Sequence, residues 1–379
     1  MSKVVYLDYN AGAPARPEVA AAVAAALTEA GNPSSIHGLG RAARHRVEQA
    51  RARVADLVEA EPAGVVFTSG GTEANALALA GCGRVRRIVS AVEHPSVLDA
   101  GDAEILPVDG HGVIDLTALD AMLAADRRRA VVSVMLANNE TGVIQPVAEA
   151  ARVAHAHGAL LHCDAAQAVG RIPVSLVRLG ADFLTLSAHK MGGPCGVGAL
   201  VMADGGFVLA PILLGGGQER RRRAGTENVP GIAGFGAAAR LVRDDLLLGD
   251  TMSEQCRMRD RLEREALARV PRAMVIGDGA ARLPNTSCLA LPGLAGQTQV
   301  MALDLAGVAV SAGAACSSGK VTESRVLAAM GLTPEIRGSA IRVSLGWASR
   351  LEDVECFLVA WGELARRKGF EVSRPVAAA

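Results

Sequence analysis

Lys190 closes the run Ser187-Ala-His189-Lys190, and the chain uses lysine at only three other positions, Lys3, Lys320 and Lys368, among 39 basic residues. Where charge alone matters this composition uses arginine. A lysine kept in mid-chain therefore suits work that a guanidinium cannot do, losing a proton and attacking a carbonyl. Lys190 is a candidate Schiff-base residue on that ground. An ordinary surface lysine is the plain alternative for any single position, and what weighs against it is the company Lys190 keeps.

Phe67-Thr-Ser-Gly-Gly-Thr-Glu-Ala-Asn75 places Gly71 and Thr72 where a helix begins. Helix N-termini carry free N–H groups and partial positive charge, which suits a phosphate, although glycine and threonine also serve ordinary helix starts. Ser187 and His189 form a second phosphate candidate. Two such cradles and one lysine point to a phosphorylated carbonyl cofactor, of which pyridoxal 5'-phosphate is the obvious one. Its ring nitrogen needs a carboxylate, and Asp164, at the end of the apolar run from Ala159 to Cys163, is placed for that or for capping a helix. Gln167 can donate to the cofactor phenolate. His94, in Val92-Glu-His-Pro-Ser96, is a candidate ring stack and proton carrier, or a structural histidine.

An α-amino acid substrate would need its carboxylate held. Arg342, in Ala340-Ile-Arg-Val-Ser-Leu345, offers a bidentate fork, with Asn139 to assist. Cys316 lies in Val310-Ser-Ala-Gly-Ala-Ala-Cys-Ser-Ser-Gly-Lys320, where glycines bracket small residues, the composition of an exposed loop with an accessible thiol. Cys195, in Gly-Gly-Pro-Cys-Gly, is the rival thiol; the other cysteines read as buried small hydrophobes. His155, His157, His162, Cys163 and Asp164 can be sketched as a metal cluster, but their spacing fits no common site, so no metal is expected.

These side chains need a scaffold. Val65–Phe67, Arg87–Val89, Ala130–Leu136, Ala159–Cys163, Phe183–Leu186 and Gly198–Met202 read as strands, alternating with helical patterns at Pro17–Ala30, Arg41–Val58, Thr72–Ala80, Leu116–Ala125 and Val147–His157. That alternation predicts an α/β fold with a mostly parallel sheet and ligands at the carboxyl ends of its strands. From Leu241 to Val270 a long charged segment reads as a helix leading away, toward a smaller α+β domain. The expected division is 15–245 for the large domain, with 1–14 and 246–379 forming the small one that carries the Cys316 loop.

Composition sets outer bounds. The chain has 379 residues, half of them apolar but only 3% aromatic, and zero formal net charge. No global basic field favours nucleic acid or a membrane surface, and the arginine clusters at 127–129 and 220–223 read as solvated faces. Seven cysteines without a Cys-x-x-Cys pair argue against a disulfide framework. With no signal-like N-terminus and no apolar run of about 20 residues, a soluble cytoplasmic protein is expected.

In this order the pieces resemble the pyridoxal-phosphate cysteine desulfurases, within the class V aminotransferases. The resemblance runs through Tyr6-Leu-Asp-Tyr9, Gly31-Asn-Pro-Ser-Ser35, Thr68 to Asn75, Glu93-His94, Asn138-Asn-Glu140, Asp164 to Gln167 and Ser187 to Lys190. It continues through Gly215-Gly-Gly-Gln-Glu219, Gly225-Thr-Glu-Asn228, Cys316-Ser-Ser-Gly319 and Arg342-Val-Ser-Leu-Gly346. It implies a large domain with a mostly parallel seven-stranded sheet flanked by helices, the type I fold of these enzymes. It also implies that Lys190 carries the cofactor and moves the substrate Cα proton, that Thr72, Ser187 and His189 bind phosphate, and that Asn139 and Arg342 hold the carboxylate of L-cysteine. Thr226 then looks like a phosphate ligand donated across a homodimer interface. The Cys316 loop resembles that of the group I branch, in which a mobile thiol takes sulfur as a persulfide and passes it to an acceptor protein such as an iron–sulfur scaffold.

The chain departs from the family at Gly12-Ala13, where two threonines are usual, and at Cys195, where a lysine is usual. Lys320 inside the sulfur loop bears on partner choice. The same fold also serves selenocysteine lyases, cysteine sulfinate desulfinases and other class V enzymes, which stand as the alternative reading.

Overall fold

Apolar residues in the first half of the chain alternate between two layers, and a sheet buried on both faces results. The computed structural model describes residues 4–312 and 323–373. Strand β1 is Val5–Tyr6; the sheet strands follow as β2 (Val65–Thr68), β3 (Arg86–Ser90), β4 (Glu104–Leu106), β5 (Ala130–Ser133), β6 (Leu160–Asp164), β7 (Phe183–Ser187) and β8 (Gly198–Met202). Their order is β2-β8-β7-β6-β5-β3-β4. Only β8 runs antiparallel to its neighbours. Val65, Phe67, Leu184 and Val201 pack into one apolar cluster, whereas Val66, Phe183 and Leu200 enter another on the opposite face. That is the period-two alternation of a strand with helices on both sides.

Helices α1 (Pro17–Leu27) and α2 (Gly38–Leu57) supply Val19, Val47 and Val54 to the first cluster, and α3 (Gly71–Gly81) supplies Ala74, Leu77 and Ala78 to the second. The turn into α3 lies directly on β8: a Cβ at Gly198 would sit 2.6 Å from the Gly70 carbonyl carbon. Only glycine permits that approach, and it brings the N-terminus of α3 beside the end of β7.

The second half builds β9 (Met274–Val275), β10 (Thr286–Ala290), β11 (Val308–Ala309), β12 (Ser311–Ala312) and β13 (Ala340–Ser344). An antiparallel sheet of order β12-β13-β10-β9 forms there, while β1 pairs parallel with β11. The helix Leu351–Arg367 buries Val354, Phe357, Leu358, Trp361 and Leu364 at helical spacing against Ile341 and Val343. Beyond β1, Asp8 bridges to Ser344, so the N-terminal segment runs from this sheet toward the large one.

The charged segment Leu241–Val270 is not one helix. Val229–Leu248 and Asp250–Arg269 are separate, divided at Gly249, whose φ of +76° ends the first in a left-handed cap. The first begins twelve residues before Leu241 because its glycines and alanines pack in the core, a pattern without amphipathic periodicity. The expected strand from Ala130 ends at Ser133 rather than Leu136, and β4 was not expected: it has three residues, with Ile105 exposed at the sheet edge.

Candidate active site

The carboxyl ends of β2, β3, β5, β6 and β7 share one edge, and a cavity of about 330 Å³ opens there. Its walls include Gly71, Thr72, His94, Asn139, Asp164, Gln167, Ser187, His189, Lys190 and Arg342. These ten residues, from segments distant in sequence, meet at one cavity. Thr226 does not line this cavity; it is exposed elsewhere, beside Glu227 and Gly225. Cys316 and Lys320 lie outside the described residues. Of the described cysteines, none lines the cavity.

Lys190 sits one turn beyond β7, and its Nζ donates to the main-chain oxygens of Asn10 (2.6 Å) and Ala11 (2.9 Å). Burial lowers its pKa to about 8; Arg171 and Arg342 act in the same direction, and Asp8 and Asp164 oppose them. A substantial fraction of the amine is then neutral near physiological pH, the form that attacks a carbonyl. His189 is driven to about 4 by burial and by Lys190, so it stands neutral, its Nδ1 2.9 Å from Ser187 Oγ.

Asp164, at the end of β6, is buried and held at both oxygens: Asn75 Nδ2 donates to Oδ2 (2.8 Å) and the Ala166 N–H to Oδ1 (2.9 Å). Asn75 also donates to Ser96 Oγ (2.9 Å), which lies 2.8 Å from His94 Nδ1. Because His94 Nδ1 accepts the Ser96 N–H (3.1 Å), a neutral ring carries its proton on Nε2. Desolvation lowers the His94 pKa, with Asp164 opposing and Lys190 assisting. Asn75 was part of the helix-start motif but was given no role in the sequence reading; its place one turn into α3, facing the end of β6, is what a helix N-terminus on a parallel sheet dictates.

Arg342 enters from β13, buried among apolar neighbours. Its partners within the protein are Asp8 and Asn139: Nη2 donates to Asp8 Oδ1 at 2.7 Å and Nη1 to the Asn139 oxygen at 2.9 Å. An aspartate two residues past a short edge strand gave no signal of this pairing. Arg342 Nε remains buried without a partner. Glu140, next to Asn139, accepts from Ser324 Oγ at 2.6 Å, and burial raises its pKa to about 7.

The sketched metal cluster is dispersed. His155 pairs with Asp182, His157 with Asp120, and His162 lies between Ser133 and Thr185. Cys356 is exposed and Cys256 half-buried, contrary to the expectation for cysteines other than 195 and 316, because both sit on charged helix faces.

The residues fit a flat, phosphorylated, carbonyl-bearing group. Gln167 Oε1, Asn75 Oδ1 and Arg342 Nε are all buried in residues of this cavity with no protein partner among the described residues. A buried polar atom left unpaired is costly, so three around one cavity mark a place where a polar ligand completes the bonding. The N-terminus of α3 adjoins Ser187, a Cβ at Gly71 standing 3.6 Å from that of Ser187, and with His189 they offer an anion cradle in the cavity that Asp164 and Lys190 also line.

Residues 5–357 match the aminotransferase class-V family. The cysteine desulfurase of Cereibacter sphaeroides is 46% identical over 92% of each chain, and the cysteine desulfurase IscS of Dictyoglomus turgidum is 39% identical over 93% of this chain and 92% of its own. The crystal structure of the NifS-like protein from Rickettsia africae superposes with a TM-score of 0.88 at 34% identity, covering 96% of this chain and 99% of that one. With the cavity, its lysine and the ends of the parallel strands in the same fold, the chain belongs to the class V aminotransferase family, and within it to the pyridoxal-phosphate-dependent cysteine desulfurases.

Proposed function

We propose that this chain removes sulfur from L-cysteine, leaves L-alanine, and receives the sulfur on Cys316 as a persulfide, in the manner of the group I branch. The observation that carries the reading is Lys190, an amine with a lowered pKa beside an anion cradle and the carboxylate of Asp164. Bound pyridoxal phosphate supplies a carbonyl to join the substrate amine and a ring to hold the electrons released at Cα.

The chain's own groups do the rest. Gly71 and Thr72 N–H groups, Ser187 and His189 hold the phosphate, and Asp164 keeps a proton on the ring nitrogen. His94 would stack on the ring, and Gln167 would donate to the phenolate through the second N–H of Nε2, the first being given to the Asn10 oxygen at 3.0 Å. Arg342 and Asn139 hold the substrate carboxylate. Lys190, as a neutral amine, would take the Cα proton. Cys316 thiolate then attacks the substrate sulfur: an S–S bond forms, the C–S bond breaks with its electrons passing to Cβ, and two protons, one at Cβ and one returned to Cα, complete alanine. Reacting sulfurs must come within about 3 to 3.5 Å for that step.

Thr226, exposed and outside the lining of its own chain's cavity, supports a homodimer in which it reaches the partner's phosphate site. The described cysteines are all unpaired, which supports a cytoplasmic setting, and no described helix is long and apolar enough to cross a membrane. A sulfur-acceptor protein, such as an iron–sulfur scaffold, takes the persulfide onward.

Alanine and sulfide formed from L-cysteine, with a reductant and no keto-acid acceptor, separate this activity from transamination. Cys316→Ser keeps the cofactor spectrum and stops turnover; loss of turnover in Cys195→Ser with Cys316→Ser active reverses the assignment.

A further inference from the structure

Arg171 is a buried cation behind Lys190, outside the cavity that the candidate residues line. Its guanidinium meets no carboxylate among the described residues. Instead Nη1 donates to the Gln167 oxygen, and Nη2 meets the oxygens of Tyr9 (3.3 Å) and Lys190 (3.5 Å). A narrower cleft on this side of the molecule is walled by both Arg171 and Lys190. A charge withdrawn from water without a counter-ion is unfavourable, and such a placement in a folded core calls for a reason.

We propose that Arg171 is a positioning residue of the active site, one guanidinium that ties together the main chain of Tyr9, Gln167 and Lys190 and sets a positive charge behind the Lys190 amine. The inference deepens the reading of Lys190 as the cofactor-binding lysine and rests on it. Two of the three tethered segments supply site groups, Gln167 and Lys190, and the third leads into Asn10, whose oxygen accepts from both of their side chains.

The charge has a consequence for the amine. Among the described residues, the groups facing Lys190 are Asp8 from the N-terminal segment, Arg342 from β13, Asp164 from β6, His94 beyond β3, His189 in its own turn, and Arg171. Asp8 and Arg342 are paired with each other, and the two histidines are neutral. Among the described residues Arg171 pairs with no acid, so its like-charge repulsion adds to burial in favouring the uncharged amine.

The scarcity of lysine makes the test direct. In the full chain, freed of cofactor, the four lysines are reductively methylated with carbon-13 and followed by NMR against pH, the Lys190 signal being assigned by its loss in Lys190→Arg. The wild-type signal is expected to titrate near pH 8, apart from the others. Arg171→Gln keeps hydrogen bonding and removes the charge, and it should shift the Lys190 midpoint upward by roughly half to one pH unit, a three- to tenfold change in protonation equilibrium. Arg171→Lys restores the charge and should return the midpoint most of the way. A folded Arg171→Gln titrating with the wild type overturns the proposal, as does a wild-type Lys190 that titrates with the surface lysines, which needs no variant. Borohydride reduction of wild-type holoenzyme is read separately: a cofactor adduct missing from the Lys190 peptide overturns the functional reading itself.

Discussion

Arg342 Nη2 donates to Asp8 Oδ1 at 2.7 Å across the join between the N-terminal segment and β13. The arginine that faces the substrate site is therefore aimed before any substrate arrives. Its Nη1 is fixed on the Asn139 oxygen as well, and the edge left for a carboxylate is Nε with the second N–H of Nη2. A planar fork held at two corners presents the third without reordering, and that lowers the entropic cost of binding.

Arg342→Lys retains the charge and loses the fork. The KM for L-cysteine should rise about 10- to 100-fold, with a smaller effect on kcat, since charge-assisted hydrogen bonds contribute about 1.5–3 kcal/mol. Steady-state alanine formation measures it. An unchanged KM would place the substrate carboxylate elsewhere.

Capture of cofactor by cofactor-free protein should depend on pH through Lys190. The amine is protonated and unreactive below about 8 and neutral above it, so the rate of cofactor attachment, followed by absorbance, should climb as pH rises through that value and level off beyond. A rate still climbing tenfold per unit at pH 9.5 would mean an unperturbed lysine.

Asn75→Ala removes the donor on Asp164 Oδ2 and the link to Ser96. Leaving a buried carboxylate short of a partner should cost about 1–3 kcal/mol of stability and speed cofactor loss. Denaturant unfolding and dialysis against cofactor-free buffer check the two effects.

Glu140 carries a pH signature. Its carboxyl has a pKa of about 7 when folded, above the ordinary 4.5. The unfolded chain releases this proton near 4.5 while the folded chain keeps it, so this group's contribution to stability falls as pH rises from about 4.5 to 7 and is constant above that. Glu140→Gln still accepts from Ser324 and should gain on the wild type by up to about 3 kcal/mol between pH 4.5 and 8. Denaturation midpoints at the two ends of the range report it, and parallel curves would contradict it.

The sheet and most of the cavity were legible in the sequence because each signal was local. Strand ends such as Cys163-Asp164 and Leu186-Ser187 bear a polar residue where an apolar run stops, and on a parallel sheet all such ends meet. Pairings between distant segments were not legible: Asp8 with Arg342 is 334 positions apart, and Arg171, in a run of ordinary loop composition, acquires its place only when the turns after β6 and β7 close over it. The helix Val229–Leu248 escaped for a different reason. Buried on most sides by Gly and Ala, it has no polar face to give a period.

The central claim is that sulfur leaves cysteine at a site built around Lys190 and arrives on Cys316. One turnover of L-cysteine on holoenzyme, with neither acceptor nor reductant, followed by non-reducing peptide mass spectrometry and alanine quantitation, tests it. The account predicts one alanine per active site and one added sulfur atom on the peptide containing Cys316. Alanine formed with that peptide unmodified, or with the sulfur on the peptide containing Cys195, would contradict it.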